Sequence, residues 1–329
     1  MLSVICFSKD RPLQLEAYLE SLIYYSGVKP QFITCLTATS LGISYDRIIA
    51  QHPGINWVHE TQFGDDLLRA VRMSENFILF GCDDVVFKEY FDLNDCISIL
   101  QRNPDVFGFS LRLGGNINFL PRVDESDGVL TWHWREARGE YWRYPWEVSA
   151  SIYRKNVALN LLESRTDITN PNRFEAFLAS DIASGKFEAA PRLACFATST
   201  CATVTVNRVQ DEYQNVFDAS KSTSPEELYC CHVDGLKQDW VKLAHWRNGS
   251  VHVGAEAFAL VRIVNAPPLN YIMASTGVGI LAKRNGNLAL KIFCWRIMTN
   301  LWEAARKRLP RPILNLVRVA ARKAASLRR

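Results

Sequence analysis

Two adjacent carboxylates are the residues best placed to do chemistry. Asp83 and Asp84 follow the apolar run Phe77–Phe80, which predicts that a buried strand ends just before them. Hard divalent cations prefer carboxylate oxygens, and Mg²⁺ or Mn²⁺ commonly joins one or two carboxylates to a diphosphate. The pair therefore predicts a metal site. The alternative is a simple acidic turn, because Asp is also common where a strand passes into a loop.

The elements that must position this pair form an alternating pattern. Apolar runs predict strands over Leu2–Ser8, Phe32–Thr37, Ile55–His59 and Phe77–Phe80. Helical spacing predicts helices from Leu13 to Gly27, over Tyr45–Gln51 and over Phe63–Met73. Such alternation favours a mainly parallel sheet, which binds ligands beyond the carboxyl ends of its strands. A second polar cluster, Ser8–Arg11, follows the first strand and is expected at the same edge.

The middle of the chain is less regular. Strands are predicted over Val106–Leu111 and Ser149–Tyr153, and residues 193–206 are rich in β-forming residues. Helices are predicted over Asp92–Gln101, Asn156–Glu163 and Asn172–Ser180. Gly114–Arg143 is a long aromatic segment, which is often functional inside a compact domain. Residues 218–250 predict mostly loop.

Composition excludes several classes of protein. Hydrophobic residues make up 48% and charged residues 22% of the 329 residues, so wholesale disorder is excluded. No uncharged apolar run is long enough to predict a spanning helix. The first residues lack the features of a signal peptide and predict a buried strand instead. The nine cysteines form no C-x-x-C pair, which favours reduced thiols in the cytosol over disulfides or a zinc site.

The charge distribution separates the end of the chain from the rest. Residues 283–329 carry 13 of the 38 Lys and Arg residues and one of the 34 acids. Residues 287–309 and 313–327 have amphipathic helical patterns with tryptophan in the first, typical of helices that lie on an anionic membrane surface. Nucleic acid is disfavoured, because no recognised binding module precedes the tail. Packing on the body or on a second subunit is the other alternative.

Several segments together resemble a known family. They are Cys6–Leu15, Ile78–Val85 around the acidic pair, Pro171–Glu175, Val206–Gln210 and, more loosely, Gly235–Glu256. Their order along the chain resembles that of bacterial family 2-like glycosyltransferases of the GT-A fold, which transfer sugars from nucleotide diphosphate donors. The resemblance covers about residues 1–260. It implies an α/β fold with a mixed, mainly parallel sheet flanked by helices, followed by a connecting segment over 261–282 and the basic helical tail over 283–329.

The resemblance also implies a metal and donor site. The last carboxylate of the family's D-x-D motif binds Mn²⁺ or Mg²⁺, which points to Asp84, and Asp83 would contact ribose or the metal. His252 stands where many such enzymes place a third metal ligand, although a lone His is more often structural. This sequence departs from the family at Cys82, which occupies the position of the first motif Asp.

Further donor contacts are implied at two places. Ser8, Asp10 and Arg11 would lie beside the base and ribose, with Arg11 able to reach a phosphate. The alternative is that Arg11 pairs with Asp10 at the start of a helix. The segment Gly64 to Asp66, with Asp65, would approach the nucleoside; its alternative is helix capping.

An inverting transferase also needs a general base for the acceptor hydroxyl. Glu147, Glu175 and Asp181 are the candidates, and the Pro-Asn-x-x-Glu context favours Glu175. A retaining mechanism would need no such base.

The aromatic segment 131–146 has two interpretations. Its four tryptophans and two tyrosines suit sugar rings, and its arginines suit phosphate, as expected for a glycan or polyprenyl-linked acceptor. Alternatively, it is a packed flap or a membrane-interface segment.

The resemblance implies a glycosyltransferase acting in bacterial surface-polysaccharide synthesis, and the basic tail predicts a peripheral position on the cytosolic membrane face. One alternative is a sugar-phosphate nucleotidyltransferase, which a glycine-rich phosphate loop after the first strand would favour; Ser8–Pro12 contains no glycine. The other is a non-catalytic membrane-bound partner with a degenerate transferase domain.

Overall fold

The computed structural model describes residues 1–210 and 222–262. The α-helices within these residues are α1 (Pro12–Ser26), α2 (Asp46–Gln51), α3 (Phe63–Met73), α4 (Leu93–Arg102), α5 (Lys155–Glu163), α6 (Pro171–Ala183) and α7 (Pro225–Val233). The strands are β1 (Leu2–Lys9), β2 (Ile33–Ala38), β3 (Asn56–His59), β4 (Phe77–Cys82), β5 (Val85–Phe87), β6 (Val106–Ser110), β7 (Asp124–Ser126), β8 (Val129–His133), β9 (Ala150–Arg154), β10 (Arg192–Phe196), β11 (Cys201–Val204), β12 (Leu236–Gln238), β13 (His252–Val253) and β14 (Leu260–Arg262).

The central sheet joins nine of the described strands in the order β3-β2-β1-β4-β9-β6-β10-β8-β7. The first four are mutually parallel, as the alternation of strands and helices predicts. Strand β9 is antiparallel to both β4 and β6, and β10 runs parallel to β6 but antiparallel to β8. The predicted α/β fold, with a mixed sheet flanked by helices, is thereby confirmed.

A smaller sheet extends the edge where β4 ends. After the acidic pair, the chain continues into β5, which pairs antiparallel with β11, and β11 pairs parallel with β13. The register places His252 beside Thr203. Residues far apart in the sequence therefore meet next to Asp83 and Asp84.

The middle of the central sheet is buried on both faces. Val4 and Cys6 of β1 belong to the apolar core on one side, and Ile5 and Phe7 belong to the core on the other. This alternation follows from the two-residue period of a strand. Contact between α1 and β4 is very close, because a Cβ at Gly81 would lie 2.0 Å from Tyr18 Oη. The close fit holds the middle of α1 against the end of β4.

The sequence missed several elements. The predicted loop over 218–250 contains α7, which begins with a capping box between Ser224 and Glu227. The aromatic segment contains β7 and β8, and β5 follows directly after the acidic pair. These strands are only three to five residues long, so the periodic signal is too short to detect.

Residues Met1–Arg262 form one compact unit. The predicted tail over 283–329, and residues 263–282 of the predicted connecting segment, lie outside the described residues. Within 1–210 and 222–262, no helix has both the length and the apolar character required to cross a bilayer.

Candidate active site

The ends of β1 and β4 bring the two predicted polar clusters together. The strands are parallel neighbours in which Phe7 pairs with Cys82, so the residues that follow them share one edge of the sheet. Ser8 Oγ donates a hydrogen bond to Asp83 Oδ2 at 2.7 Å and lies 2.8 Å from the hydroxyl of Tyr45. Asp83 is almost fully buried, with 2% of its surface exposed. It forms the floor of the site, beneath more accessible groups.

Arg11, at the N-terminal cap of α1, forms ion pairs with both members of the acidic pair. Its Nη1 donates to Asp84 Oδ2 at 3.2 Å, and its Nε lies 3.3 Å from Asp83 Oδ1 without the alignment of a hydrogen bond. Burial raises the pKa of Asp83 to about 7, with Asp84 adding to the rise and Arg11 opposing it. Burial alone would lower the pKa of Arg11, but the two carboxylates raise it above its ordinary value, so Arg11 stays charged.

The carboxylate of Asp10 is bound by the protein itself, although the resemblance implied a contact with the nucleotide-sugar donor. Its backbone is in the left-handed region (φ 55°), and its buried carboxylate accepts hydrogen bonds from Thr39 Oγ1, Ser40 N, Ser40 Oγ and Leu41 N at 2.7–3.2 Å. Burial favours a higher pKa, but these hydrogen bonds outweigh it and lower the pKa. Asp10 therefore shapes the turn between β1 and α1, and Arg11 pairs with the acidic pair instead of with Asp10.

A polar cleft opens beside Asp84. Its lining is formed by Arg11, Asp84, Thr203, Thr205, Asn207, Arg208, Val209, Gln210 and His252. Burial lowers the pKa of His252 to about 4, with the charge of Arg112 adding to the effect. His252 is therefore neutral at pH 7, the form in which an imidazole nitrogen can bind a metal.

The donor set fits a metal only in part. Asp84 and His252 line the same cleft, but Asp83 is directed to Ser8, Tyr45 and Arg11. Among the described residues, no group of three or more His, Cys, Asp or Glu side chains is arranged to hold an ion. An ion at Asp84 and His252 would therefore need further oxygen ligands, such as those of a bound diphosphate.

Two more of the predicted carboxylates, Glu175 and Glu147, lie near the cleft. Glu175, on α6, accepts a hydrogen bond from the backbone N–H of Val148 at 2.7 Å. The thiol of Cys82 lies 3.8 Å from the carbonyl oxygen of Val148, so one peptide segment joins Glu175 to the end of β4. Burial raises the pKa of Glu175 to about 7, and the negative charge of Glu147 adds to the rise. Glu175 thus has the protonation equilibrium that a general base needs near neutral pH.

Arg112 is a site residue that the sequence did not reveal. It is 7% exposed, forms an ion pair with Glu147, and donates from Nη1 to Thr203 Oγ1 at 3.0 Å. Glu147 also accepts a hydrogen bond from Ser151. Glu147 is therefore held by two partners, whereas Glu175 has one hydrogen bond from the backbone. The sequence signal for Arg112 was only its nearness to the long aromatic segment.

Three predicted acids are not among the residues that line the cleft. Asp181 is bound by Arg165 at 2.7 Å and Lys186 at 3.1 Å. Asp66 accepts from the backbone N–H groups of Thr61 and Gln62, which matches the helix-capping alternative. Asp65 lies exposed in the first turn of α3.

The aromatic segment is divided between core and surface. Its tryptophans are all buried at 2% exposure or less and pack as a flap: Trp132, Trp134, Trp142 and Trp146. They offer no free face to a sugar ring, so that interpretation is wrong for them. Tyr141 and Tyr144 are half-buried and line a second pocket together with Arg112 and Glu147.

Comparison with known proteins supports the resemblance. No family model matches the sequence. The chain is 27% identical over 259 residues to the bifunctional glycosyltransferase pgtA of Dictyostelium discoideum, covering 67% of this chain and 34% of that protein. The chain thus spans about a third of the length of this relative. The match confirms the resemblance to glycosyltransferases that the sequence motifs carry.

Solved structures give weaker likenesses. TarS residues 1–349 from S. aureus have a TM-score of 0.41 and 16% identity, covering 61% of this chain and 59% of that one. The same protein in complex with UDP-GlcNAc has a TM-score of 0.38 and 13% identity, covering 60% and 57%. A cytidylyltransferase from Leptospira borgpetersenii has a TM-score of 0.37 and 12% identity, covering 57% and 77%. Scores this low carry no argument about function.

Proposed function

We propose that this chain is a glycosyltransferase that moves a sugar from a nucleotide diphosphate donor to a glycan or glycolipid acceptor. The observation that carries the proposal is the cleft at the ends of the parallel strands. There Arg11, Asp84 and His252 line one surface, and Glu175 lies within electrostatic reach of Asp84. The similarity to a curated glycosyltransferase supports the same activity.

The cleft suits the diphosphate of the donor. Arg11 is 13% exposed and permanently charged, so it can form charge-assisted hydrogen bonds to phosphate oxygens. Asp84 and His252 would hold Mg²⁺ or Mn²⁺, which would neutralise charge on the leaving diphosphate. Ser8 and Asp83 support this cation-binding edge from below, and Asp10 fixes the turn that carries Arg11.

Glu175 is the proposed general base. As the acceptor oxygen forms its bond to the anomeric carbon, the bond from that carbon to the diphosphate breaks, and the hydroxyl proton passes to Glu175. Glu147 is less suited to this role, because Arg112 and Ser151 already hold its carboxylate. Asp181 is bound by Arg165 and Lys186 on another part of α6. This assignment gives inversion at the anomeric carbon.

The proposed cellular setting is based on the charge pattern of the tail and on the resemblance to bacterial glycosyltransferases. The basic amphipathic pattern of 283–329 favours a peripheral position on an anionic membrane surface, where polyprenyl-linked acceptors are found. We place the reaction in bacterial surface-polysaccharide synthesis on the cytosolic face.

The test is thermal-shift binding of the full chain to UDP, GDP, dTDP and CMP, each with and without Mn²⁺. We expect one nucleoside diphosphate to raise the melting temperature, with a larger rise when Mn²⁺ is present. The Asp181→Asn variant serves as the control, because Asp181 is bound outside the cleft. A folded protein that responds to no nucleotide would contradict the proposal and favour the non-catalytic alternative. A response confined to CMP would contradict a diphosphate donor and indicate a donor in which the sugar is linked through a single phosphate.

A further inference from the structure

Two consecutive exposed residues, Phe119 and Leu120, form an apolar tip on the long aromatic segment. Phe119 is 77% exposed and Leu120 is 44% exposed. The residue before them, Asn118, donates its backbone N–H to Gly249 O at 2.8 Å. Gly249 lies just before β13, whose His252 lines the cleft. The apolar tip is therefore attached to the segment that forms one side of the cleft.

The backbone holds the ring of Phe119 in water. Its φ is 63°, in the left-handed region that a bulky side chain rarely adopts. The carbonyl oxygen of Asn118 accepts a hydrogen bond from Trp142 Nε1 at 2.9 Å, so the chain is fixed directly before the ring. A Cβ at Gly139 would lie 2.9 Å from Phe119 Cβ, so the chain is closely packed beside it as well. Such a conformation costs free energy and persists only where the surrounding structure imposes it.

Arginine side chains flank the apolar tip. Arg122 follows it by two residues, Arg138 precedes Gly139, and the backbone N–H of Arg143 donates to Gly139 O at 3.2 Å. All three arginines are exposed, and none has an ion-pair partner among the residues that the structure describes. Glu140, between the last two, offsets only one of these charges. The tip is therefore an apolar centre with an excess of positive charge around it.

This combination fits an anionic lipid surface. Peripheral proteins bind such surfaces by inserting apolar side chains at the level of the headgroups, while arginines beside them attract the lipid phosphates. A nucleic acid would use the cations but would leave the apolar side chains without a role. An ordinary protein interface buries about 800 Å² on each partner, whereas the tip presents two apolar side chains.

We propose that the apolar tip inserts among the headgroups of an anionic lipid surface, with Arg122, Arg138 and Arg143 binding lipid phosphates beside it. This contact uses residues outside the basic tail over 283–329. It keeps the cleft close to the lipid surface, where a lipid-linked acceptor presents its hydroxyl group. That consequence for the acceptor rests on the proposed function, whereas the binding to lipid does not.

The experiment measures cosedimentation of the full chain with two kinds of vesicle. One is phosphatidylcholine alone, and the other contains about a third phosphatidylglycerol. The double variant Phe119→Asn, Leu120→Ser should bind the mixed vesicles about tenfold more weakly, because it loses two inserted apolar side chains. It should still fold, because both side chains are exposed and Asn tolerates the left-handed conformation.

Met73→Ser is the matched control for this variant. Met73 is 83% exposed and ends α3, at the opposite edge of the sheet from the cleft. It should bind both kinds of vesicle as the wild type does. A loss in Met73→Ser equal to that of the double variant would overturn the assignment to the apolar tip.

A second double variant, Arg138→Gln, Arg143→Gln, tests the role of the flanking charge. It should bind the mixed vesicles about tenfold more weakly, while any binding to phosphatidylcholine alone stays the same. Equal losses on the two kinds of vesicle, or no loss on either, would contradict the role of these arginines.

Hydrogen exchange separates the apolar tip from the basic tail. Mixed vesicles should slow the exchange of backbone amides over 119–122. Unchanged exchange there, with wild-type binding by the tip variant, would overturn the inference and assign lipid binding to other residues. A wild-type dimer that the tip variant cannot form would also overturn it, in favour of a second copy of this chain. Lipid binding without any nucleotide binding would contradict only the proposed function.

Discussion

Helix α1 participates in two buried charge groups, and each contains two carboxylates and one permanent cation. The cleft cluster is Arg11, Asp83 and Asp84. The anchor cluster is Glu16, Glu20 and Lys237, in which the ammonium lies 2.6 Å from each carboxylate. Trp240 Nε1 donates to Glu20 at 3.1 Å, and His232 Nδ1 lies 3.5 Å from Glu16. The stoichiometry is the same, but the surroundings are not.

The difference between the clusters is access. Asp84 is 20% exposed and lines a cleft, whereas Glu16 and Glu20 are 1% and 6% exposed and face the segment that holds α7 and β12. The anchor cluster therefore attaches the end of the described chain to α1. Buried charge alone does not indicate a site; a charge pair next to a cleft does.

The largest effect should come from Glu175→Gln. Loss of the proposed base should lower the rate of sugar transfer about 10²–10⁴-fold. The wild-type rate should rise with pH through about 7, because the pKa of Glu175 is raised to about 7 and the base must be deprotonated. Steady-state turnover between pH 5.5 and 9 checks both points. A variant that keeps the wild-type pH profile would exclude Glu175 as the base.

The raised pKa of Glu175 should also make the stability of the folded chain depend on pH. Between the ordinary value of 4.5 and about 7, the folded chain holds a proton at Glu175 that the unfolded chain releases. The stability from this group is complete at low pH and is lost as the pH rises through that window. Glu175→Gln should remove this part of the pH dependence in thermal unfolding.

Asp84→Asn should have the next largest effect on activity. It removes the accessible charge of the cleft cluster, and we expect turnover to fall about 10²-fold, together with any dependence of nucleotide binding on Mn²⁺. Turnover and Mn²⁺ titration measure this. Folding should persist, because Asn keeps the shape and a hydrogen-bond acceptor for Arg11. Full activity of Asp84→Asn would show that the cleft cluster, like the anchor cluster, only stabilises the fold.

Lys237→Met should have the opposite effect to Asp84→Asn: it should lower the stability of the fold and leave turnover unchanged. It leaves two buried carboxylates without their cation, which costs about 3–5 kcal/mol of the free energy of unfolding. Urea unfolding measures the loss, and turnover per folded molecule should stay at the wild-type level. The double variant Glu20→Gln, Lys237→Met is the control, since it removes part of the unpaired charge. A selective loss of turnover would instead couple the anchor cluster to the cleft.

Asp181→Asn should have the smallest effect. Lys186 is 72% exposed, so its pair with Asp181 contributes about 1 kcal/mol or less, and Asn keeps an oxygen that can accept from Arg165. Turnover should match that of wild type, in contrast to Glu175→Gln on the same helix. A large loss of turnover in a stable protein would return Asp181 to the list of candidate bases.

Sequence reasoning succeeded where the signal is local. The apolar runs and polar clusters of the first ninety residues predicted the parallel strands, and with them the meeting of Ser8 and Arg11 with Asp83 and Asp84. Both clusters follow neighbouring strands of one sheet, so the position of each is set within a few residues.

The sequence could not predict contacts between residues that are far apart in the chain. Arg112 meets Thr203 across 91 positions and Glu147 across 35, and no periodic pattern encodes such pairs. The tryptophans of the aromatic segment were equally ambiguous, because the same residues suit a sugar platform and a packed flap; their burial depends on strands β7 and β8, which are too short to predict. The role of Asp10 was hidden for the same reason, since it depends on a turn 30 residues away.

The strand order has a consequence for synthesis on the ribosome. Strands β1 to β4 lie side by side, so the cleft cluster is encoded within the first 84 residues and can assemble as soon as they emerge. Glu147, Glu175 and His252 emerge later, and β9 must then pair with the open edge of β4. We therefore expect a nascent chain to bring Arg11, Asp83 and Asp84 together well before the residues that complete the cleft, such as Thr203 and His252, have been synthesised.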